Sequence, residues 1–318
     1  MNDTERFGRE QEKLTREIEE ILARYLPPKE GQADTMPGED DILLPLPVSE
    51  AMTYAMMSGG KRIRPLLMFL SFDLFGGKNK EMLYPFLAAI EMIHTYSLIH
   101  DDLPAMDNDT MRRGKKTCHV VYGEAMAILA GDGLLNRAYE TALLASEACQ
   151  GPQDMIRLIL ALRVLTTKAG IRGMVGGQAI DVASEGQEVK EAQKVLYFIQ
   201  ENKTAALIEA ALMCGAILAD ARVEAVDMME RIGSRIGRAF QIRDDILDVT
   251  GEDAALGKST GKDAAQHKLT HVSLYGMEKA AKDLAHLTEE ALKDLEAVGA
   301  REDDLIVYLT RQLAHRTN

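Results

Sequence analysis

A chain of 318 residues has room for one large domain or two ordinary ones, and a hydrophobic fraction of 46% supplies an ample core. The formal net charge of −13 disfavours nucleic acid or an anionic membrane surface as the main partner. The three cysteines, Cys118, Cys149 and Cys214, show no metal-binding spacing and read as reduced, buried thiols of a cytoplasmic protein.

Tryptophan is absent and aromatics make up only 5%, while Ala, Leu, Ile, Met, Glu and Lys recur at helical periods, so the expected class is all-α. The N-terminal run MNDTERFGREQEK has no apolar core of the kind that directs export. No stretch reaches about 18 uninterrupted apolar residues, so a soluble protein without a membrane anchor is expected. Phe7, Leu14, Ile18, Ile21, Leu22 and Tyr25 form the apolar stripe of a first helix, which Pro27 and Pro28 end. Residues 27–47 hold five of the nine prolines and an acidic run, Glu39, Asp40 and Asp41, and read as a mobile surface loop. Helical segments follow over 48–58, 64–75, 80–103, 118–149, 153–183, 188–219, 222–249, 264–296 and 302–315. No repeat or linker divides them, which predicts a single domain over 1–318.

Gly59-Gly60-Lys61-Arg62-Ile63-Arg64-Pro65 places three cations behind a glycine pair and ahead of an apolar helix, an arrangement suited to an anion. It is not the GxxxxGK[ST] loop of nucleotide triphosphatases. Two aspartate clusters lie further on, Asp101, Asp102 and Asp107 in DDLPAMD, and Asp244, Asp245 and Asp248 in DDILD. Brought together, such carboxylates need cations to neutralise them, and hard oxygen ligands select Mg²⁺, which shares its shell with phosphates. Asp244 and Asp248 lie only about 40° apart around a helix axis and share a face. Asp101 and Asp107 would be about 240° apart on a continuous helix, so Pro104 must end the helix near Asp101 and let the loop return at Asp107.

Arg112 and Arg113 follow the first cluster, a guanidinium pair suited to an anion that bridges carboxylate-bound metals. Gly170, Gly173, Gly176 and Gly177 form a stripe in a helical pattern, where each glycine costs about 1 kcal/mol relative to Ala. Close helix packing and room for a ligand beside Gln178 and Asp181 explain it equally well. Lys203 interrupts an apolar helix and needs a partner there. Lys258, Lys262 and Lys268 follow the second cluster; Lys262 reads as a solvated loop residue. His94 lies two turns before Asp101, on roughly the same face. His100, His119, His267 and His271 read as ordinary packed or surface residues.

GGKRIRP, EMIHTYSLIHDDLPAMDNDTMRRG, GEAMAILAGDGLL, GMVGGQAID, KTAAL and FQIRDDILD together resemble the trans-prenyltransferases, and within them the bacterial farnesyl diphosphate synthases, in order from about Leu46 to Lys268. The resemblance implies an all-α bundle of long helices of the isoprenoid-synthase type around a deep central cavity, usually a homodimer. It implies that Asp101, Asp107 and Asp244 are direct ligands of three Mg²⁺ ions, with Asp102, Asp245 and Asp248 closing the shell directly or through water. Arg112, Lys203 and Lys258 would hold the allylic diphosphate, and Lys61, Arg64, His94 and Arg113 the diphosphate of isopentenyl diphosphate, with Lys268 nearby. Thr204, the Lys203 carbonyl and Gln241 would face the allylic carbon.

The activity so implied is condensation of dimethylallyl and geranyl diphosphates with isopentenyl diphosphate to farnesyl diphosphate. In the family the residues five and four before the first aspartate, here Tyr96 and Ser97, help set the cavity floor. Tyr96 lies about 7–8 Å up the helix from Asp101, where its ring would stop growth at fifteen carbons. Geranyl and geranylgeranyl diphosphate synthases are the alternatives within the fold. A non-catalytic regulatory subunit would not need both aspartate clusters, and a terpene cyclase would not need GGKRIRP. The sequence departs from the family pattern at Lys116, where proline is usual, and in KLTHV over 268–272, which replaces K-S-T-Y-P.

Overall fold

The structure is a computed structural model that describes residues 3–27, 46–187, 189–250 and 268–314. The loop expected to be mobile falls largely outside these residues, as do Lys258, Lys262 and His267. Among the described residues the secondary structure is helical apart from one two-stranded hairpin. The contacts gather into two compact units, each discontinuous in sequence. One comprises Met1–Gln11, Leu67–Asn79 and Gly151–Asn318, the other Glu12–Leu66 and Lys80–Gln150. The boundaries at 11/12 and 66/67 fall inside helices, so no linker marks them in the sequence.

In the second of these units the core element is α4 (Lys80–Asp101), preceded in the chain by α1 (Asp3–Arg24), α2 (Leu46–Met56) and α3 (Ile63–Leu74). Met82, Leu83, Phe86, Leu87, Ile90 and Ile93 are all buried, so α4 is apolar nearly all round, as a helix enclosed by others must be. It is long and apolar enough to cross a membrane by length and composition, but 78% of its apolar window is buried within the protein, which makes it a core helix. The hairpin β1 (Met111–Arg112) and β2 (Lys115–Lys116), then α5 (Cys118–Tyr122) and α6 (Glu124–Leu143), complete the unit. α6 packs along α4, and its Gly131 lies so close to His100 that a Cβ there would sit 2.1 Å from Nε2. His100 Nε2 also bonds the Ile128 carbonyl at 3.1 Å, so this histidine is the satisfied packing residue expected.

The other unit is built around α10 (Ala206–Leu218), buried at every residue. It packs on α7 (Pro152–Ala169) and α11 (Val223–Thr250), while α8 (Met174–Ser184) and α9 (Ala192–Ile199) precede it in the chain. α12 (His271–Tyr275), α13 (Met277–Ala297) and α14 (Leu305–Ala314) close the sequence. Ala239, Ile242 and Ile246 of α11 pack on Ala280, Leu284 and Leu287 of α13 and Ala314 of α14. The helix expected over 153–183 is broken between α7 and α8, because the Gly170 and Gly173 backbones leave helical geometry. Residues 118–149 likewise divide at Gly123, whose φ of +83° no L side chain adopts readily. None of the three cysteines forms a disulfide, and burial raises the thiol of Cys118 to about 11.

Candidate active site

The first aspartate cluster has the shape its proline demands. α4 ends at Asp101, and the loop turns back so that the Asp107 N–H donates to the Asp101 carbonyl at 2.9 Å. Asp102 faces inward, 3% exposed. Its Oδ1 accepts from Arg112 Nε and Nη2 at 2.8 and 2.6 Å, and its Oδ2 from Nε at 2.9 Å. Burial works against the Arg112 charge, but the bonds and field of Asp102, with Asp109 and Asp101 behind it, outweigh it and raise the pKa.

The hairpin that aims the arginines was not expected from sequence. Arg113 and Gly114 form its two-residue turn with φ of +53° and +74°, the pair of positive values that a type I′ turn requires. Lys116, the departure from proline, lies in the strand opposite Met111, and its carbonyl accepts from Tyr54 Oη at 2.7 Å. The turn sends Arg113 onto the glycine pair: its Nη1 donates to the Gly59 carbonyl, and a Cβ on Gly60 would stand 2.7 Å from Arg113 Cζ.

In the same loop Lys61 is exposed and Arg64 half-buried. Arg62 instead turns inward and is fixed by Glu91 at 2.8 Å and the Met56 carbonyl at 2.7 Å, so it anchors the loop and does not face a ligand. His94 lies within the field of these cations. Burial, then Arg64, Arg113, Arg112 and Arg62, push its pKa well below the usual value and keep the ring neutral. Tyr96 is buried, meets His100 edge-on at 5.8 Å, and has its phenol pushed up to about 12 by burial, Tyr139 and Asp101. Ser97 Oγ donates to the His94 carbonyl at 2.9 Å.

In the other unit, Lys203 and Thr204 stand on a π-helical turn, Gln200–Ala205, between α9 and α10. Such turns widen a helix and recur at functional sites. α8 approaches it closely: a Cβ on Gly177 would lie 2.1 Å from the Lys203 nitrogen. Of the two explanations for the glycine stripe, packing therefore holds at Gly177. Lys203 Nζ pairs with Asp181 Oδ2 at 2.5 Å, the partner that an amine in an apolar helix needs. Thr204 Oγ1 donates to Gln241 Oε1 at 2.6 Å, and Gln241 Nε2 donates to Asp245 Oδ1 at 2.9 Å. Asp244 and Asp248 share a face of α11, both half-buried. Lys268 pairs with Glu185 at 3.3 Å.

His271, read from sequence as an ordinary residue, is a junction. Its N–H donates to Asp245 Oδ2 at 2.7 Å, its Nε2 lies 2.9 Å from Asp283, and its Nδ1 lies 3.3 Å from Gln200 Nε2. The departure from K-S-T-Y-P was the signal that could have marked it.

Among the described residues no three His, Cys, Asp or Glu side chains converge on a point that would hold a metal by themselves. The donor set is nevertheless all carboxylate, three aspartates to a cluster. That suits a hard cation which completes its shell from water and a bound phosphate and does not occupy an all-protein cage.

An all-α chain carrying two carboxylate clusters, each with cations in its own unit, has the class character of an enzyme that handles diphosphates. The profile of the polyprenyl synthetase family matches residues 46–305, and the chain belongs to that family of prenyltransferases. It is 46% identical to a geranylgeranyl diphosphate synthase of Cyanophora paradoxa over 250 residues, 78% of this chain and 81% of that enzyme. The fold resembles an FPP/GFPP synthase from Zymomonas mobilis, with a TM-score of 0.80, 34% identity and coverage of 97% and 99% of the two chains. It also resembles a Helicobacter pylori geranyltransferase solved with magnesium and isoprenyl diphosphate, with a TM-score of 0.75, 31% identity and 94% of each chain covered. The expected all-α isoprenoid-synthase fold is the one this chain has.

Proposed function

We propose that this prenyltransferase joins an allylic diphosphate head-to-tail to isopentenyl diphosphate in a Mg²⁺-dependent reaction that releases diphosphate. The observation that carries this is chemical. One chain holds two aspartate clusters suited to a metal-chelated leaving group and, besides them, a cationic set whose arginines keep His94 neutral.

In this reading Asp101 and Asp107 in one unit, and Asp244 and Asp248 in the other, would hold Mg²⁺, and Asp102, whose oxygens accept from Arg112, would contribute through water. Mg²⁺ held there would supply stabilisation of the negative charge on a leaving diphosphate. Arg112 in one unit, and Lys203 and Lys258 in the other, are each suited to the allylic diphosphate, Lys203 exchanging Asp181 for a phosphate oxygen. The Lys203 carbonyl, Thr204 and Gln241 direct oxygen lone pairs towards the allylic carbon as its C–O bond breaks. Lys61, Arg64, His94 and Arg113, all in one unit, hold the diphosphate that must stay bonded, and Lys268 in the other is suited to the same kind of group. The double bond of isopentenyl diphosphate supplies the electron pair for the new C–C bond. The proton lost passes to the departing diphosphate, so no side-chain base is required.

Exposed apolar residues on α6 (Ile128, Leu129, Leu143) and on α7 (Met155, Ile156, Ile159, Leu160) support a homodimer, and we place the enzyme in the cytoplasm. Product length is the finer question. The names of the curated relatives favour twenty carbons, geranylgeranyl diphosphate. The buried Tyr96 ring supports fifteen, farnesyl diphosphate, with geranyl diphosphate as intermediate. Chromatography of dephosphorylated products separates the two. A fifteen-carbon product that lengthens in Tyr96→Ala supports the floor role. A twenty-carbon wild-type product, or no change in the variant, removes it.

A further inference from the structure

We propose that Asp245, the second aspartate of DDILD, is not a metal ligand but a positioning residue that sets the direction of the hydrogen bonds reaching Thr204. The inference rests on the prenyl-transfer reading and concerns α11, the π-helical turn and α12, all in one unit.

Asp245 is 3% exposed, while its neighbours Asp244 and Asp248 are half-buried. Each of its oxygens accepts a protein N–H, Oδ1 from Gln241 Nε2 and Oδ2 from the backbone of His271. Residues 244 and 245 lie about 100° apart around a helix axis, so a metal on the Asp244 and Asp248 face is turned away from Asp245. His271 is itself fixed through Asp283 and Gln200, and Gln200 opens the turn that bears Lys203 and Thr204.

The polarity of the chain follows from what a carboxylate can do. Asp245 only accepts, so the Gln241 side that meets it must be the NH₂. The Gln241 carbonyl oxygen therefore faces Thr204, and the Thr204 hydroxyl must donate to it, at 2.6 Å. With its proton committed, the Thr204 oxygen has lone pairs left to direct at the allylic carbon, where positive charge develops.

Asp245→Asn inverts this order with almost no change in volume. The asparagine carbonyl keeps the His271 N–H, its NH₂ then opposes the Gln241 NH₂, and the glutamine amide must flip. Gln241 would then donate to Thr204 and occupy the lone pair. The double variant Asp245→Asn with Gln241→Glu restores the order: the asparagine donates to the introduced carboxylate, whose other oxygen accepts from Thr204.

The test compares wild type, both single variants and the double variant in kcat, in Mg²⁺ half-saturation, and in calorimetric binding of inorganic diphosphate with Mg²⁺. We expect Asp245→Asn to lower kcat about a hundredfold, as a small misplacement at the reacting centre does. Its Mg²⁺ half-saturation and diphosphate affinity should stay near wild type, and the double variant should regain kcat by about tenfold or more. A rise in Mg²⁺ half-saturation of about tenfold or more in Asp245→Asn, with weaker diphosphate binding, would identify a metal ligand and overturn the proposal. Absence of recovery in the double variant overturns it as well, and decides alone if the single variant does not fold. Wild-type protein that makes no prenyl product would instead remove the underlying activity.

Discussion

Gly177→Ala tests how tightly the π-helical turn bearing Lys203 and Thr204 is held by the helix beside it. A Cβ at residue 177 would meet the Lys203 nitrogen at 2.1 Å and the Asn202 carbonyl carbon and Lys203 Cα at 2.7 Å each, against the 3.4 Å at which ordinary contact begins. All three atoms are backbone, so no rotamer change relieves the clash, and α8 or the turn must move by more than an ångström. Overpacking of this kind costs roughly 1–3 kcal/mol in stability. In the proposed reaction, where Thr204 faces the allylic carbon, a displacement of that size costs about a hundredfold in rate. Steady-state kinetics should show kcat reduced by that order, and calorimetry a Tm lowered by a few degrees. Gly133→Ala is the control, because its nearest neighbour is the flexible Met52 thioether at 2.9 Å, and it should leave both values close to wild type. Wild-type kcat and Tm in Gly177→Ala would refute the claim that α8 fixes the position of Lys203 and Thr204.

Glu91→Ala takes the nearer, buried carboxylate from the Arg62 guanidinium, 2% exposed, and leaves it only Glu19 at 3.6 Å, so urea unfolding should register a loss of about 3 kcal/mol. His94 has a folded pKa well below its unfolded value near 6.5. The unfolded chain therefore takes up the proton first, and this contribution to stability is lost as pH falls below about 6.5. Urea midpoints at pH 5.5 and 7.5 should show a smaller acid loss in His94→Gln than in wild type; identical losses would contradict the neutral ring. Asp181→Asn removes the carboxylate that holds Lys203, and calorimetry should show altered binding of inorganic diphosphate with Mg²⁺, whereas unchanged binding would mean the ion pair does not compete with ligand.

The features legible in the sequence were those set by local geometry. Pro104 dictated the turn between Asp101 and Asp107, and the i, i+4 spacing placed Asp244 and Asp248 on one face of α11. What stayed hidden depended on contacts between distant segments. The glycine stripe could not be resolved until Gly177 was found against the Lys203 backbone, and the demand for a Lys203 partner did not say that Asp181 would be it. The hairpin at 111–116 was masked because two-residue strands carry no alternation, although Arg113-Gly114 is a plausible turn pair in retrospect. His271 was missed because its bond to Asp245 comes from a backbone N–H, which any residue type supplies.

The most direct test of prenyl transfer uses purified protein, labelled isopentenyl diphosphate, and dimethylallyl, geranyl or farnesyl diphosphate in turn, with and without Mg²⁺. The account predicts label in an extended prenyl diphosphate with dimethylallyl and geranyl primers, only when Mg²⁺ is present. Failure to incorporate label with any primer, or incorporation that ignores Mg²⁺, would contradict it.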